Sequence, residues 1–236
     1  MRPVAKPGSP PKNSELDTIA ARVQSEMGVK LVYGVETPYF PYITSRPAPK
    51  TDFPQVARYA KLLEQELNRY SQFCLKKINL KTVIICKDVA IDKVTSPGVA
   101  EERDGTLIMD YKMGDYDEAY QRHVIHHELL HYMIGLLYPG PPYTDSEWPQ
   151  YNAPGTKYGR GGQFARDPYE EVLNHPKPGF VDAYAQSGPD EDMAELHACR
   201  MVPKEFEMLK EWMKHDRYLE AKYERLLKLL EPLGAA

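Results

Sequence analysis

His127 and His131 stand four residues apart, so a helix carrying them presents both on one face, one turn from each other. Two imidazoles so placed can reach a single zinc ion at about 2.0–2.1 Å each. Glu128 follows the first histidine and projects to the side of the pair. A carboxylate there lies beside a metal without ligating it. It can take a proton from metal-bound water and pass it to a leaving amine, while zinc lowers that water's pKa toward ~7. The flanks Val124, Ile125, Leu129, Leu130, Met133 and Ile134 are apolar. Histidines in such a setting need partners, and a metal is one.

His123 lies one further turn upstream. The outer members of a 123/127/131 ladder are about 12 Å apart along the axis, too far for one ion, which leaves His123 as a supporting or surface residue. His126 points about 100° away from His127 and is not expected to be a ligand. A catalytic zinc needs a third protein ligand and one open position. Glu191 and Glu195 share a helical face at i,i+4; one can bind the ion while the other accepts an N–H from a ligand histidine. An ordinary acidic first turn gives the same pattern. His197 and His175 are alternative third ligands.

These residues resemble the gluzincin zinc metallopeptidases, with His127-Glu128-x-x-His131 followed downstream by a helical glutamate. The likeness is closer to the catalytic domain of anthrax lethal factor and to bacterial zinc-binding metallopeptidases of that type. It is carried by His126–His131, by Gly179-Phe180-Val181-Asp182-Ala183-Tyr184-Ala185 and by Glu191-Asp192-Met193-Ala194-Glu195, and spans roughly 99–202. The resemblance implies one catalytic Zn2+ held by His127, His131 and Glu191, with Glu128 as general base and Glu195 supporting a histidine. It implies that Tyr184 donates to the oxyanion of the tetrahedral intermediate, as a phenol aimed at developing charge can. The 60 positions between His131 and Glu191 are more than many members of that group have.

The elements that must position these residues can be read from pattern. Residues 1–13 are expected to be a flexible lead, and 14–236 a single domain: 14–138 holding the sheet and the active-site helix, 139–236 a long loop and a helical half. A helix over about 14–27 has Ser14 and Asp17 at capping-box spacing. A strand covers 29–33, a proline-rich loop 38–49, and a helix 52–77, with Asp52 as N-cap and Pro54 in its first turn. Strands follow over 80–89 and within 99–112, the latter turning at Asp104-Gly105. The strand 105–111 is expected to be an edge offering main-chain groups to an extended substrate. A long helix runs over 115–137, stopped by Pro139-Gly140-Pro141-Pro142. The loop 139–180 is long enough to be functional, and Gly161-Gly162 would let it move. Helices follow over 189–202 and from Pro203 to about 231. Strands early and helices late give the class α+β: a small mixed or antiparallel sheet packed on the zinc-site helix, with a mainly helical C-terminal half.

Composition narrows the partners. The net charge of −4 argues against nucleic acid. No 18-residue apolar stretch suits a membrane. Three cysteines, Cys74, Cys86 and Cys199, make no disulfide framework. The first thirteen residues lack a signal peptide's apolar core, which slightly favours the cytoplasm; export with removal of a signal is the alternative. The expected partner is a peptide or protein substrate. Rival readings are a zinc-containing binding or structural module closed by His197 or Cys199, a partner-binding scaffold, and a zinc amidase acting on a non-peptide substrate.

Overall fold

The computed structural model describes residues 13–38, 40–115, 117–140, 144–165 and 172–235. The lead read over 1–13 lies outside these residues except for Asn13. So do parts of the loop read over 139–180. The chain divides into two compact units, Met1–Asp117 and Glu118–Ala236. Its class is α+β, with a six-stranded mixed sheet and seven α-helices among the described residues.

The first unit is built on the sheet. Helix α1 (Ser14–Met27) buries Leu16, Ile19, Val23 and Met27, a stripe at helical spacing. Its cap is Asn13 rather than Ser14: the Asn13 side chain accepts the N–H groups of Glu15 and Leu16. Strand β1 (Lys30–Tyr33) follows. Strand β2 (Ile43–Pro47) lies within the stretch read as loop, made a strand by its pairing partner rather than by its own composition. Two helices, α2 (Phe53–Leu67) and α3 (Gln72–Lys77), replace the single helix read over 52–77. Ser71 breaks the run by taking extended backbone and capping α3 through the Cys74 N–H. Asp52 does precede α2, but its carboxylate accepts the Tyr111 hydroxyl instead of capping.

Strands β3 (Thr82–Ile91), β4 (Val94–Thr95), β5 (Gly98–Glu101) and β6 (Thr106–Asp110) complete the sheet. β1, β3 and β6 run parallel with β3 between the other two; β2 and β4 pair antiparallel with β3, and β5 with β6. Val83 to Cys86 are all buried, as expected of a central strand covered on both faces. The strand expected to be a substrate-binding edge is interior. β6 is bonded by β3 on one side and β5 on the other, with Leu107 opposite Val83 and Ile108 opposite Val99. No free row of main-chain groups remains on it for a peptide.

The second unit opens with α4 (Glu118–Leu137), three residues later than the acidic start read at Asp115. A turn, with the Asp117 N–H on Gly114 O, occupies the place of that start. Helix α5 (Pro189–Met201) packs against α4, and α6 (Pro203–Met213) against α5. The last helix, α7 (Arg217–Leu230), is separate from α6 because Asp216 is extended and caps it through the Tyr218 and Leu219 N–H groups. Between α4 and α5 the described chain forms short 3-10 turns at Trp148–Tyr151, Gly162–Phe164 and Tyr184–Gln186.

One buried carboxylate pins this connection. Asp192 Oδ2 accepts from Trp148 Nε1 (2.8 Å), the Tyr158 hydroxyl (2.5 Å) and Lys222 Nζ (2.6 Å). Lys222 has no exposed surface; it also donates to Gly179 O (2.6 Å) and lies 3.8 Å over the Phe180 ring. Burial lowers the lysine's pKa and raises that of Asp192, so desolvation opposes the attraction at both partners. Among the described residues, no helix is long and apolar enough to cross a membrane.

Candidate metal centre

Helix α4 is buried on nearly every side. Beside Val124, Ile125, Leu129, Leu130 and Met133 it buries Gln121, His123, His126, His127 and Glu128. Ionisable groups placed there must find partners, and α5 supplies most of them.

His127, His131 and Glu191 converge. His127 Nε2 lies 3.1 Å from His131 Nε2 and 3.2 Å from Glu191 Oε2, and His131 Nε2 lies 3.6 Å from the same oxygen. Glu191 Oε2 is buried and makes no hydrogen bond of acceptable geometry. On its other nitrogen, Nδ1, His127 meets Glu195 Oε1 at 2.7 Å. With Nδ1 donating there, Nε2 is left facing His131 and Glu191. Two ring nitrogens and an orphaned carboxylate oxygen thus converge, an arrangement that positive charge, whether of protons or of a metal ion, would hold. A tetrahedral ion with bonds of about 2.1 Å separates its ligand atoms by about 3.4 Å, which the three observed spacings bracket. These three residues fit a metal ion, and among the described residues no fourth His, Cys, Asp or Glu joins their group.

The same charge logic governs titration. Burial by itself would raise the Glu191 carboxyl; the facing imidazoles of His127 and His131 overcome it and hold the carboxyl well below its usual range. Burial would lower His127 and His131; Glu191 with Glu195 push the first up instead, and Glu191 with Glu128 the second. Protons at this cluster therefore stand where a cation's charge could.

A second group, His123, His127 and Glu195, is also close enough to ligate, but its contacts differ in kind. Glu195 Oε2 meets His123 Nε2 at 2.8 Å, and Glu205 Oε2 meets His123 Nδ1 at 2.7 Å. These are donor–acceptor distances with each ring nitrogen facing a carboxylate, so protons already close the group. With both nitrogens donating, His123 is an imidazolium. Burial would lower its pKa, but Glu195 and Glu205 prevail and raise it to about 10.

Glu128 is buried on α4 next to His127. Tyr184 opens the 3-10 turn before α5, its ring centroid 6.0 Å from that of His127. The strap 159–162 closes over this corner: the Gly159 N–H donates to Gln186 O (2.9 Å) and the Gly161 N–H to Ser187 O (2.8 Å). Gly161 has a φ of +104°, and a Cβ on Gly162 would overlap both Glu191 Oε1 and the Tyr184 hydroxyl. Glycine at 162 is what lets the main chain touch the third candidate ligand and the phenol together.

The remaining candidates sit elsewhere. His126 is fully buried and meets His197 of α5 edge-to-face at 6.3 Å. His175 pairs with Asp216 (2.8 Å) and stacks on Trp212. The Cys199 thiol donates to Glu205 O. None of them joins the His127–His131–Glu191 group. The sequence left His123 as a supporting or surface residue, and the structure gives it the first of these; Glu205 was not foreseen. The one available hint was the one-turn spacing from His123 to His127, because Glu205 belongs to a different helix.

Against solved structures, the chain is similar to a "putative zinc-binding metallo-peptidase" from Bacteroides caccae, with 18% identity and a TM-score of 0.56, over 93% of this chain and 85% of that one. At that identity the likeness is one of fold. No family model and no curated protein matches the sequence.

Proposed function

We propose that this chain is a zinc-dependent peptidase that binds its ion through His127, His131 and Glu191. The observation that carries the reading is the convergence of two imidazole Nε2 atoms on an unpartnered buried carboxylate oxygen. The fold neighbour named as a zinc-binding metallo-peptidase favours zinc over other ions and peptide over other substrates. Bound zinc supplies a Lewis acid that polarises the scissile carbonyl and lowers the pKa of the attacking water.

The chain's own residues do the rest. Glu128, one position from a ligand and buried, takes the proton from the attacking water and returns it to the leaving amine nitrogen. Tyr184, beside His127, donates its hydroxyl hydrogen bond to the oxygen that gains charge in the tetrahedral intermediate. Glu195 holds the His127 ring through Nδ1. The three-residue donor set leaves a position for substrate, which favours catalysis over a closed structural site. The partner is an extended peptide or a protein segment.

Protein purified without chelator is expected to carry one zinc per chain by elemental analysis. Glu128→Gln is expected to keep that zinc and to lose at least about 100-fold in hydrolysis of a peptide library. Retained zinc with wild-type turnover in this variant would remove Glu128 from the role of base. A wild type that binds no zinc would end the metal reading altogether.

A further inference from the structure

Behind the candidate ligands runs a buried line of side chains whose far members, His123 and Glu205, the proposed chemistry does not use. It starts at His127 Nδ1 and passes to Glu195 Oε1 (2.7 Å), then from Glu195 Oε2 to His123 Nε2 (2.8 Å) and from His123 Nδ1 to Glu205 Oε2 (2.7 Å). His123, Glu195 and Glu205 are all buried. Each of the two shared groups is engaged at both ends: Glu195 spends one oxygen on each histidine, and His123 one nitrogen on each glutamate. Asp182 also meets Glu195 from the segment before α5. The elements involved are α4, α5 and α6, and α6 contributes nothing to the candidate ligand set.

We propose that His123 and Glu205 are positioning residues for the metal: they fix the rotamer of Glu195, which fixes the ring of His127, so that ion affinity is set partly from α6. This rests on the zinc reading above and adds to it a dependence on two residues that touch neither ion nor substrate. The physical cause is specific. A carboxylate holding one histidine can swing about its terminal torsion, a soft rotation with broad wells. Anchoring its second oxygen on an imidazolium that is itself held from the far side removes that freedom before the ion arrives. Outer partners of this kind are worth about 10–100-fold in metal affinity when lost. Glu205 suits the end of the line because it lies in the first turn of α6, where the helix dipole favours a negative charge.

The test is zinc affinity by competition with a chromophoric chelator, on the full chain, for wild type, Glu205→Gln, His123→Gln, Glu195→Gln and the double variant Glu205→Gln/Glu195→Gln. Melting of each protein in excess chelator gives the stability of the metal-free fold, and the visible spectrum of the cobalt-loaded form reports ligand geometry. Glu205→Gln is near-isosteric and remains informative even where His123→Gln fails to fold. The expected results are a roughly tenfold or greater loss of affinity in Glu205→Gln with an altered cobalt spectrum, and a double variant no weaker than Glu195→Gln alone. Glu195 and Glu205 act on the ion through one path, so their effects should not add. Affinity within twofold of wild type in Glu205→Gln, or additive losses in the double variant, would overturn the proposal while leaving the zinc reading standing. A wild type without measurable zinc affinity would overturn both.

Discussion

Proton accounting explains why the two neighbouring His/Glu groups have different chemistry despite sharing His127. The cluster with spacings of 3.1–3.6 Å includes a carboxylate oxygen without a hydrogen bond, whereas the group at 2.7–2.8 Å pairs each ring nitrogen of His123 with a carboxylate at hydrogen-bond distance. The second group makes stability depend on pH in a defined direction. His123 has its pKa raised from 6.5 to about 10, so its contribution is complete below about pH 6.5 and is lost as pH climbs through about 10. The groups facing it are Glu195 and Glu205, with Asp182 also close enough to feel its charge. Melting temperatures of wild type and His123→Gln, compared from pH 6 to 10.5, should therefore converge as pH rises, with wild type falling more steeply; parallel curves would contradict a charged His123. At this scale the sequence was informative about which side chains could share a helical face. His127, His131, Glu191 and Glu195 lie on two helices at i,i+4, and one face of a helix is a local property. Glu205 and Asp192 were not legible, because their partners are 82 and 30 residues away, on elements whose packing no spacing encodes.

Helix boundaries followed local chemistry only where no tertiary partner outbid it. The residues Asn13 and Ser71 cap as short polar side chains do, whereas Asp52, placed equally well by sequence, gives its carboxylate to Tyr111. The long pattern over 52–77 broke at Ser71, and the one after Pro203 broke at Asp216, because in each case a side chain could satisfy the next helix's N–H groups. Strand β2 was hidden by prolines, and β6 was misread as an edge because β5, only four residues long, covers it from the other side. Among the connecting elements, the strap 159–162 has the most direct bearing on chemistry. Its Gly162 contacts Glu191 and Tyr184, so Gly162→Ala forces either the strap or those two side chains to shift. The expected outcome is a fall in kcat/KM of at least about tenfold, since small misplacements of positioning groups can cost up to ~100-fold. Circular dichroism should meanwhile show the same helix content. Unchanged kinetics would mean that the strap gives way without moving either residue.

Across the whole chain, the first unit carries the sheet and the second carries every candidate catalytic and ligand residue, from His127 to Glu195. The α+β class was legible because apolar β-branched runs precede long helical patterns, and the division at Asp117 was not, because no proline- or glycine-rich linker marks it. Glu191 and Asp192 are consecutive, yet the first turns toward His127 and His131 while the second holds Lys222, Tyr158 and the Trp148 indole. Trp148 is one of two tryptophans and is fully buried; the other, Trp212, stacks on His175. Stripping zinc with a chelator should therefore alter the emission of Trp148, recorded in a Trp212→Phe background, and readdition should restore it. An emission spectrum indifferent to zinc would mean that the two side chains respond independently. Through that single peptide step, the indole would serve as an optical gauge of whether the candidate site is filled.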